Sequence, residues 1–340
     1  MTVGMIGGKD KHMGDAFRPD TFEGFIGQDK PKKVLQILCA AAKRKGTCVP
    51  HVLLSGPPGL GKTTLARIVA NEMGSRLIEV VASNLQATEQ MAKHLTRLQP
   101  RDILFIDELH GLPRGVEEVL YAALEDGRIP IVQAGYDDLM KSLGIGGRSQ
   151  PTTAMVELPP FTCIGATTLS GLVSDPLRSR FVQALQLEPY SDEELKLIVQ
   201  NAAVSMQFDI APCVAMEIAV RSRATARTAI GNLRWFNEYC EGTESKPDIA
   251  AIGEAFALKD VDCNGLTKLD RSYLALLAEA RVPLGVSTLA SAIGEDEDNL
   301  LQAIEPFLIR KGYVRKTARG RVATQKAIEL IELVTGGAGP

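Results

Sequence analysis

The residues best suited to chemistry stand together in GPPGLGKTT, residues 56–64. Gly56, Pro57, Pro58, Gly59, Leu60, Gly61, Lys62 and Thr63 satisfy the pattern G-x-x-x-x-G-K-[ST] in full, and Thr64 follows them into the next helix. The glycines let backbone N–H groups close around a phosphate chain, and a helix starting here adds its positive dipole end. Lys62 is placed to reach β and γ phosphates, and the Thr63 hydroxyl suits a magnesium ion bound with ATP. About 45 residues after Lys62 comes ILFIDE, residues 103–108. Asp107 and Glu108 end an apolar run, so both carboxylates emerge at the edge of a sheet where ligands bind in open α/β folds. Asp107 is expected to hold the metal, and Glu108 to orient and polarise an attacking water. That points to hydrolysis of ATP rather than transfer to a second substrate.

A third chemical feature lies far downstream. RKGYVRKTARGRVAT, residues 310–324, places six basic residues within twelve positions, in a chain whose formal net charge is -3. The hairpin expected around Thr317-Ala318-Arg319-Gly320 presents Lys316, Arg319 and Arg321. Such residues contact phosphates without reading base sequence.

Something must position these groups. At 340 residues the chain is long enough for two or three domains. Its 45% hydrophobic and 23% charged residues are ordinary for a globular protein. No apolar run approaches the ~18 residues of a membrane span, and the N-terminus lacks an apolar signal region. Six scattered cysteines without a C-x-x-C pair suit reduced thiols in a cytosolic protein. The four histidines stand far apart, and ordinary core or surface positions account for them.

Strand-like HVLL (51–54), ILFI (103–106) and FTCIGA (161–166) alternate with helical stretches such as KPKKVLQILCAAAKR (30–44), whose apolar face is Val34, Leu35, Leu38 and Ala41 or Ala42. That alternation predicts a parallel sheet with helical crossovers. IPIVQ and AMVEL read as further strands around a long Gly- and Ser-containing connection, 134–153. From Ser191 the pattern turns helical, opening on a capping box with Glu194. VDCNGLTKLD interrupts it. From Leu269 the order helix, helix, helix, hairpin, final helix (325–334) predicts a winged helix. EDEDNLLQAIEPFLIRKG is read as its third helix. The acidic start of that helix argues against insertion into a major groove, which leaves the basic hairpin as the DNA contact.

RPDTFEGFIGQDK, HVLLSGPPGLGKTTLARIVANEMG, DILFIDELHGLPRGVEEVLYAALED, LPPFTCIGATT, DPLRSRF and RKTARGRVAT together make the chain resemble the RuvB family, AAA+ motors that drive branch migration of Holliday junctions, from about Phe17 to Thr324. The resemblance implies an α/β RecA-like AAA+ P-loop domain at 17–188 after a flexible 1–16. A helical lid at 189–262 and a winged-helix DNA-binding domain at 263–340 follow. It implies that Phe17, Arg18 and Ile26 flank the adenine, that Glu125, Asp126 and Gly127 and then Tyr190 contact nucleotide, and that Thr168 senses the γ-phosphate. Arg180 matches the arginine finger acting on a neighbouring subunit's ATP, and Arg227 the second sensor. A guanidinium stabilises developing γ-phosphate charge well, and supplying it in trans links hydrolysis to oligomerisation. The implied partners are duplex DNA at four-way junctions, five further copies in a homohexamer, and a RuvA-like junction-recognition protein docking on the hairpin 128–157.

The chain departs from the family in four places: ATAR (224–227) for GTPR, YAALED (121–126) for YPAMED, KTARGR for RTPRGR, and a longer 134–153 loop. Two other functions share part of this pattern. A clamp-loader-like switch would share the P-loop, sensors and SRF arginine but would end in a helical collar. An ATP-gated DNA-binding regulator would not need an intact Glu108.

Overall fold

The computed structural model describes residues 17–132 and 153–336. The expectations for 1–16, and for 134–153 apart from Thr153, fall outside the described residues. The chain divides into two units, Met1–Tyr190 and Ser191–Pro340.

The first unit is built on a five-stranded parallel sheet in the order β2-β3-β6-β1-β7. The strands are β1 (Val52–Ser55), β2 (Leu77–Val81), β3 (Ile103–Asp107), β6 (Thr162–Thr167) and β7 (Gln183–Gln186). β1, β3 and β6 are continuous apolar runs because both faces are covered: Val52, Leu54, Ile103, Phe105, Cys163 and Ile164 are all buried. Among the covering helices are α1 (Asp29–Lys45), α2 (Lys62–Met73), α3 (Thr88–Leu95) and α4 (Arg114–Asp126). The face that α1 buries is Leu35, Cys39 and Ala42, with Val34 and Leu38 half-buried at its margin. The sheet order has one consequence for function. β6 lies between β3 and β1, with Ile106 beside Gly165 and Ser55 beside Thr167. The loops after β1, β3 and β6 therefore leave three adjacent strand ends on the same edge.

β4 (Arg128–Val132) and β5 (Thr153–Glu157) pair antiparallel as a separate hairpin, with Ile129 opposite Val156. These are the two strands expected around the long connection, displaced by one residue.

The second unit begins with helix Asp192–Ser205, capped reciprocally: Glu194 N–H donates to Ser191 Oγ at 3.2 Å and Ser191 N–H to Glu194 Oε2 at 2.7 Å. Helices Pro212–Val220, Ala226–Thr243 and Ile249–Ala257 follow. Helix Lys268–Ala280 then opens on a second capping box, Thr267 with Asp270. It packs with Val286–Ile293, the hairpin β8 (Val314–Thr317) and β9 (Gly320–Ala323), and the last helix, Gln325–Gly336, around Tyr273, Leu274, Leu289, Leu308 and Ala327.

The helix expected across EDEDNLLQAIEPFLIRKG differs in its interior. It runs as a short turn Glu297–Asn299, a π turn Leu300–Ile304 and an α segment Glu305–Arg310. Pro306 supplies the physical reason. It has no N–H to donate to the preceding turn, and its ring crowds the carbonyl four residues back, so the hydrogen-bond register widens there.

Arg223 and Ala224 both adopt left-handed backbone, φ 52° and 57°. Ala224 occupies the Gly of the family's GTPR and so bears a Cβ where glycine costs nothing. Ala224→Gly is expected to stabilise this unit by about 0.5 kcal/mol, the relief of strain being partly offset by a more flexible unfolded chain. Urea unfolding of the two proteins, with equal slopes, measures it.

Candidate functional site

The phosphate-binding loop runs from the end of β1 into α2. Gly56, Gly59 and Gly61 take φ of 141°, 80° and 96°, and α2 starts at Lys62 directly behind Gly61. Side chains at two of these glycines would collide. A Cβ on Gly56 would lie 2.7 Å from Leu187 O, and one on Gly61 would lie 2.8 Å from the Phe25 ring. Lys62 is 7% exposed, and its ammonium donates to Gly56 O at 2.7 Å and Pro57 O at 3.0 Å. A glycine cradle at a helix N-terminus with a buried ammonium beneath it fits a triphosphate.

Two segments brace this loop. Tyr190 OH donates to Leu60 O at 3.1 Å. Gln28 Nε2 donates to Glu188 O at 2.6 Å, and Glu188 N–H returns to Gln28 Oε1 at 3.0 Å. Phe17, Arg18 and Ile26 lie on the same N-terminal segment as Phe25 and Gln28; Arg18 is exposed, Phe17 and Ile26 half-buried. Phe25 and Gln28 stand within RPDTFEGFIGQDK, but nothing local to that segment ties them to the phosphate loop; the fold brings them there.

At the next strand ends, Asp107 Oδ1 accepts from Glu108 N–H at 3.0 Å, and Glu108 takes φ 52°. A non-glycine residue held in left-handed backbone stores strain, here at the carboxylate expected to act. Thr168 Oγ1 donates to Glu108 Oε2 at 3.1 Å. His110 Nδ1 lies 3.1 Å from Thr167 Oγ1 and 3.4 Å from Glu108 Oε2. Glu108 and Thr168, 60 residues apart in sequence, are thus brought into contact by the β3–β6 pairing. His110 is the group that sequence reasoning passed over: it completes DELH two residues after Glu108 and orients both neighbours. Gly56 N–H donates to Thr167 O at 3.2 Å, which ties the phosphate loop to the same strand end. Thr63 and Thr64 lie half-buried in the first turn of α2.

Arg180 lies on α4. Its guanidinium stacks 4.5 Å over the Tyr121 ring, bonds the Tyr121 hydroxyl, and pairs with Glu125 Oε2 at 2.6 Å. The Tyr121 hydroxyl and then Arg180 hold the Glu125 carboxyl below the usual carboxylate range, while Tyr121 and Glu125 raise Arg180 further. Asp126 is exposed beside Glu125, and Gly127 ends the helix at φ 64°. The structure therefore groups Arg180 with Glu125, Asp126 and Gly127 at the end of one helix.

Arg227 is the second residue of helix Ala226–Thr243 in the other unit, and Thr225 Oγ1 caps that helix by accepting from Thr228 N–H at 3.2 Å.

The basic hairpin matches its expected turn: Lys316 faces Arg321 and Thr317 faces Gly320. Its charges are distributed unequally. Glu305, fully buried, accepts from Arg321 Nε at 2.7 Å, from Lys316 Nζ at 2.7 Å and from Tyr273 OH at 3.0 Å. Burial raises the Glu305 pKa, but hydrogen bonds from Arg321, Lys316 and Tyr273 outweigh it and hold the carboxyl below its ordinary range. Arg321 also pairs through its backbone with Leu284. Arg319 is exposed at the tip.

The three candidate cations are therefore not equivalent. Arg321→Ala is expected to destabilise this unit by about 3 kcal/mol, because it strips a buried carboxylate of a partner. Arg319→Ala is expected to leave the unfolding midpoint unchanged and to reduce the slope of log K against log salt by about one phosphate's worth. Thermal melts read beside fluorescence-anisotropy titrations on duplex DNA at several salt concentrations separate the two outcomes.

Among the described residues no helix is long and apolar enough to cross a membrane, and all six cysteines are free.

Three family models match in succession. Residues 17–187 match the Holliday junction DNA helicase RuvB P-loop domain, 190–262 the RuvB AAA lid domain, and 263–332 the RuvB C-terminal winged helix domain. The Holliday junction branch migration complex subunit RuvB of Campylobacter lari is 40% identical over 324 residues, covering 94% of this chain and 92% of its own. The Campylobacter jejuni subunit is 41% identical over 320 residues, again covering 94% and 92%. The solved Thermotoga maritima RuvB Holliday junction branch migration motor superposes with a TM-score of 0.79 at 36% identity, covering 93% of this chain and 98% of that one. With matches running through all three domains at this identity, the chain belongs to the RuvB family of Holliday junction DNA helicases.

Proposed function

We propose that the chain is an ATP-driven motor that moves duplex DNA through four-way junctions and so drives branch migration in recombination and repair. The observation that carries this reading is Glu108 held by Thr168 and His110 at the strand end beside the phosphate loop. A fixed carboxylate there activates water, so each ATP is consumed rather than merely held.

The proposed division is a flexible 1–16, an ATPase domain at 17–188, a lid at 189–262 and a winged helix at 263–340. Phe17, Arg18 and Ile26 flank the adenine and Tyr190 closes beside it. The backbone from Gly56 to Gly61 wraps the phosphates, Lys62 neutralises β and γ oxygens, and Thr64 continues the wrap. Thr63 and Asp107 would hold Mg2+. When bound, that ion supplies charge neutralisation across the phosphates. Thr168 donates toward the γ-phosphate or water while keeping Glu108 aimed. Arg180, with Glu125, Asp126 and Gly127 beside it, meets the neighbouring subunit's nucleotide. That arrangement calls for a ring, and six copies is the reading the family supports. Arg227 reports the nucleotide state to the lid. Lys316, Arg319 and Arg321 grip phosphates without base readout, as a motor crossing any sequence requires. A RuvA-like protein docking on the hairpin 128–157 would seat the ring at the junction, in the cytoplasm.

Duplex DNA should stimulate ATP turnover independently of its sequence. A steady-state assay with two unrelated duplexes tests this. Stimulation by only one of them favours the ATP-gated regulator, and stimulation that requires a ring-shaped protein favours the clamp loader.

A further inference from the structure

Arg223 lies four residues ahead of Arg227 yet turns away from the lid. Its guanidinium donates to Asp270 Oδ2 at 2.6 Å and to Ala303 O at 2.7 Å, and stacks 4.3 Å over the Phe307 ring. All three partners belong to the region matched by the winged-helix model. Asp270 is fully buried and is also the capping residue of helix Lys268–Ala280, accepting from Thr267 N–H at 2.8 Å. Ala303 belongs to the π turn ahead of Pro306.

The contact is reciprocal. Arg310 Nη2 reaches back and donates to Arg223 O at 2.9 Å, while its own guanidinium stacks at 5.6 Å on Phe307. Lys311 pairs at 3.5 Å with Asp192 at the start of the lid's first helix.

The backbone is shaped for this reach. Arg223 is one of two consecutive left-handed residues in the turn between helices Pro212–Val220 and Ala226–Thr243, and its side chain leaves that turn toward Asp270 and Ala303. A non-glycine pair in that conformation is costly and persists only where surrounding contacts over-determine it. The same helical segment that receives Arg223 carries Glu305, which holds Lys316 and Arg321 of the wing. Packed and hydrogen-bonded groups therefore run without a break from the turn before Arg227 to the DNA hairpin, all within Ser191–Pro340.

We propose that Arg223 is a positioning residue that locks the second-sensor helix to the winged helix, so that lid and wing move as one lever when the nucleotide state changes. The proposal rests on the motor reading for its consequence, but the clamp itself is independent of it. A guanidinium suits the task because its fork bonds a carboxylate and a carbonyl at once while its face stacks on a ring. A lysine ammonium has donors for these acceptors but lacks the fixed fork and the planar face that stacks on the ring.

The test uses the full chain as wild type, Arg223→Ala and Arg223→Lys. Spin labels sit on the exposed Cys213 of the lid and on Glu295→Cys in the winged helix, with Cys48→Ser and Cys263→Ser removing the other accessible thiols. Wild type should give one narrow distance that ATP does not change. Arg223→Ala should broaden it and reduce base pairs migrated per ATP by about fivefold, in the range that side-chain couplings span. DNA-free ATP turnover should stay within about twofold of wild type, since the Arg223 guanidinium is engaged by Asp270, Ala303 O and Phe307. Arg223→Lys should fall between the two.

A narrow, wild-type-like distance in Arg223→Ala, or migration and ATP turnover declining in the same proportion, overturns the lever. If Arg223→Ala does not fold, Arg223→Lys decides it: unchanged width and unchanged yield per ATP refute the proposal. Should wild type migrate no junction at all, the motor reading fails and the label distances alone judge the clamp.

Discussion

Glu108→Gln is expected to lower ATP turnover by roughly 100- to 10,000-fold, the range a positioned general base contributes, while ATP still binds. The amide keeps the shape of the carboxylate and can still accept from Thr168 Oγ1, which lies 3.1 Å from Glu108 Oε2 in the native chain. What it loses is the negative charge that polarises water. Binding should survive because the glycine cradle and Lys62 come from β1 and α2, not from the Glu108 turn. Single-turnover hydrolysis and equilibrium binding of a labelled nucleotide separate these quantities. A variant that hydrolyses normally removes Glu108 from the chemistry, and one that fails to bind shows a collapsed site. Lys62→Ala should show the opposite order, losing binding first, since its ammonium is the buried charge under the loop.

Arg180→Ala is expected to cost about 1,000-fold in turnover, the lower end of what an arginine finger supplies, although every group around its own phosphate loop is intact. In the structure Arg180 rests on Tyr121 and Glu125 at the end of α4. Removing it frees Glu125 and leaves folding nearly unchanged, because the pair is half-exposed and such pairs contribute little. The distinguishing experiment mixes two inactive proteins. In a ring assembled from equal parts of Arg180→Ala and Glu108→Gln, about a quarter of the interfaces pair an intact Glu108 with an intact Arg180 from the neighbour, and about that fraction of wild-type turnover should return. A finger acting within its own subunit predicts no recovery at any ratio.

The parts legible in the sequence are those whose chemistry is contiguous. GPPGLGKT declares its loop because phosphate binding needs consecutive backbone N–H groups, and ILFIDE because a strand buried on both faces must be apolar until it reaches the edge. The turn at Thr317–Gly320 was readable for the same reason: four adjacent residues set it. What stayed hidden depends on residues distant in sequence. Phe25 matters because Gly61 leaves room for its ring. His110 matters because β6 carries Thr167 past it. Composition marked Lys316, Arg319 and Arg321 as one cluster, whereas the fold buries a carboxylate, Glu305, under two of them and leaves the third at the tip. The widened register before Pro306 was locally encoded, but the capture of Ala303 O by Arg223, 80 residues away, was not.

The central claim is that hydrolysis at the Lys62/Glu108 site is converted into movement of DNA. Its most direct measurement follows a synthetic four-way junction with heterologous ends, recording strand separation and phosphate release together, with and without a RuvA-like protein. Wild type should convert the junction to products in proportion to ATP consumed, and Glu108→Gln should bind the junction and convert none. Robust phosphate release with no conversion under either condition would contradict the claim.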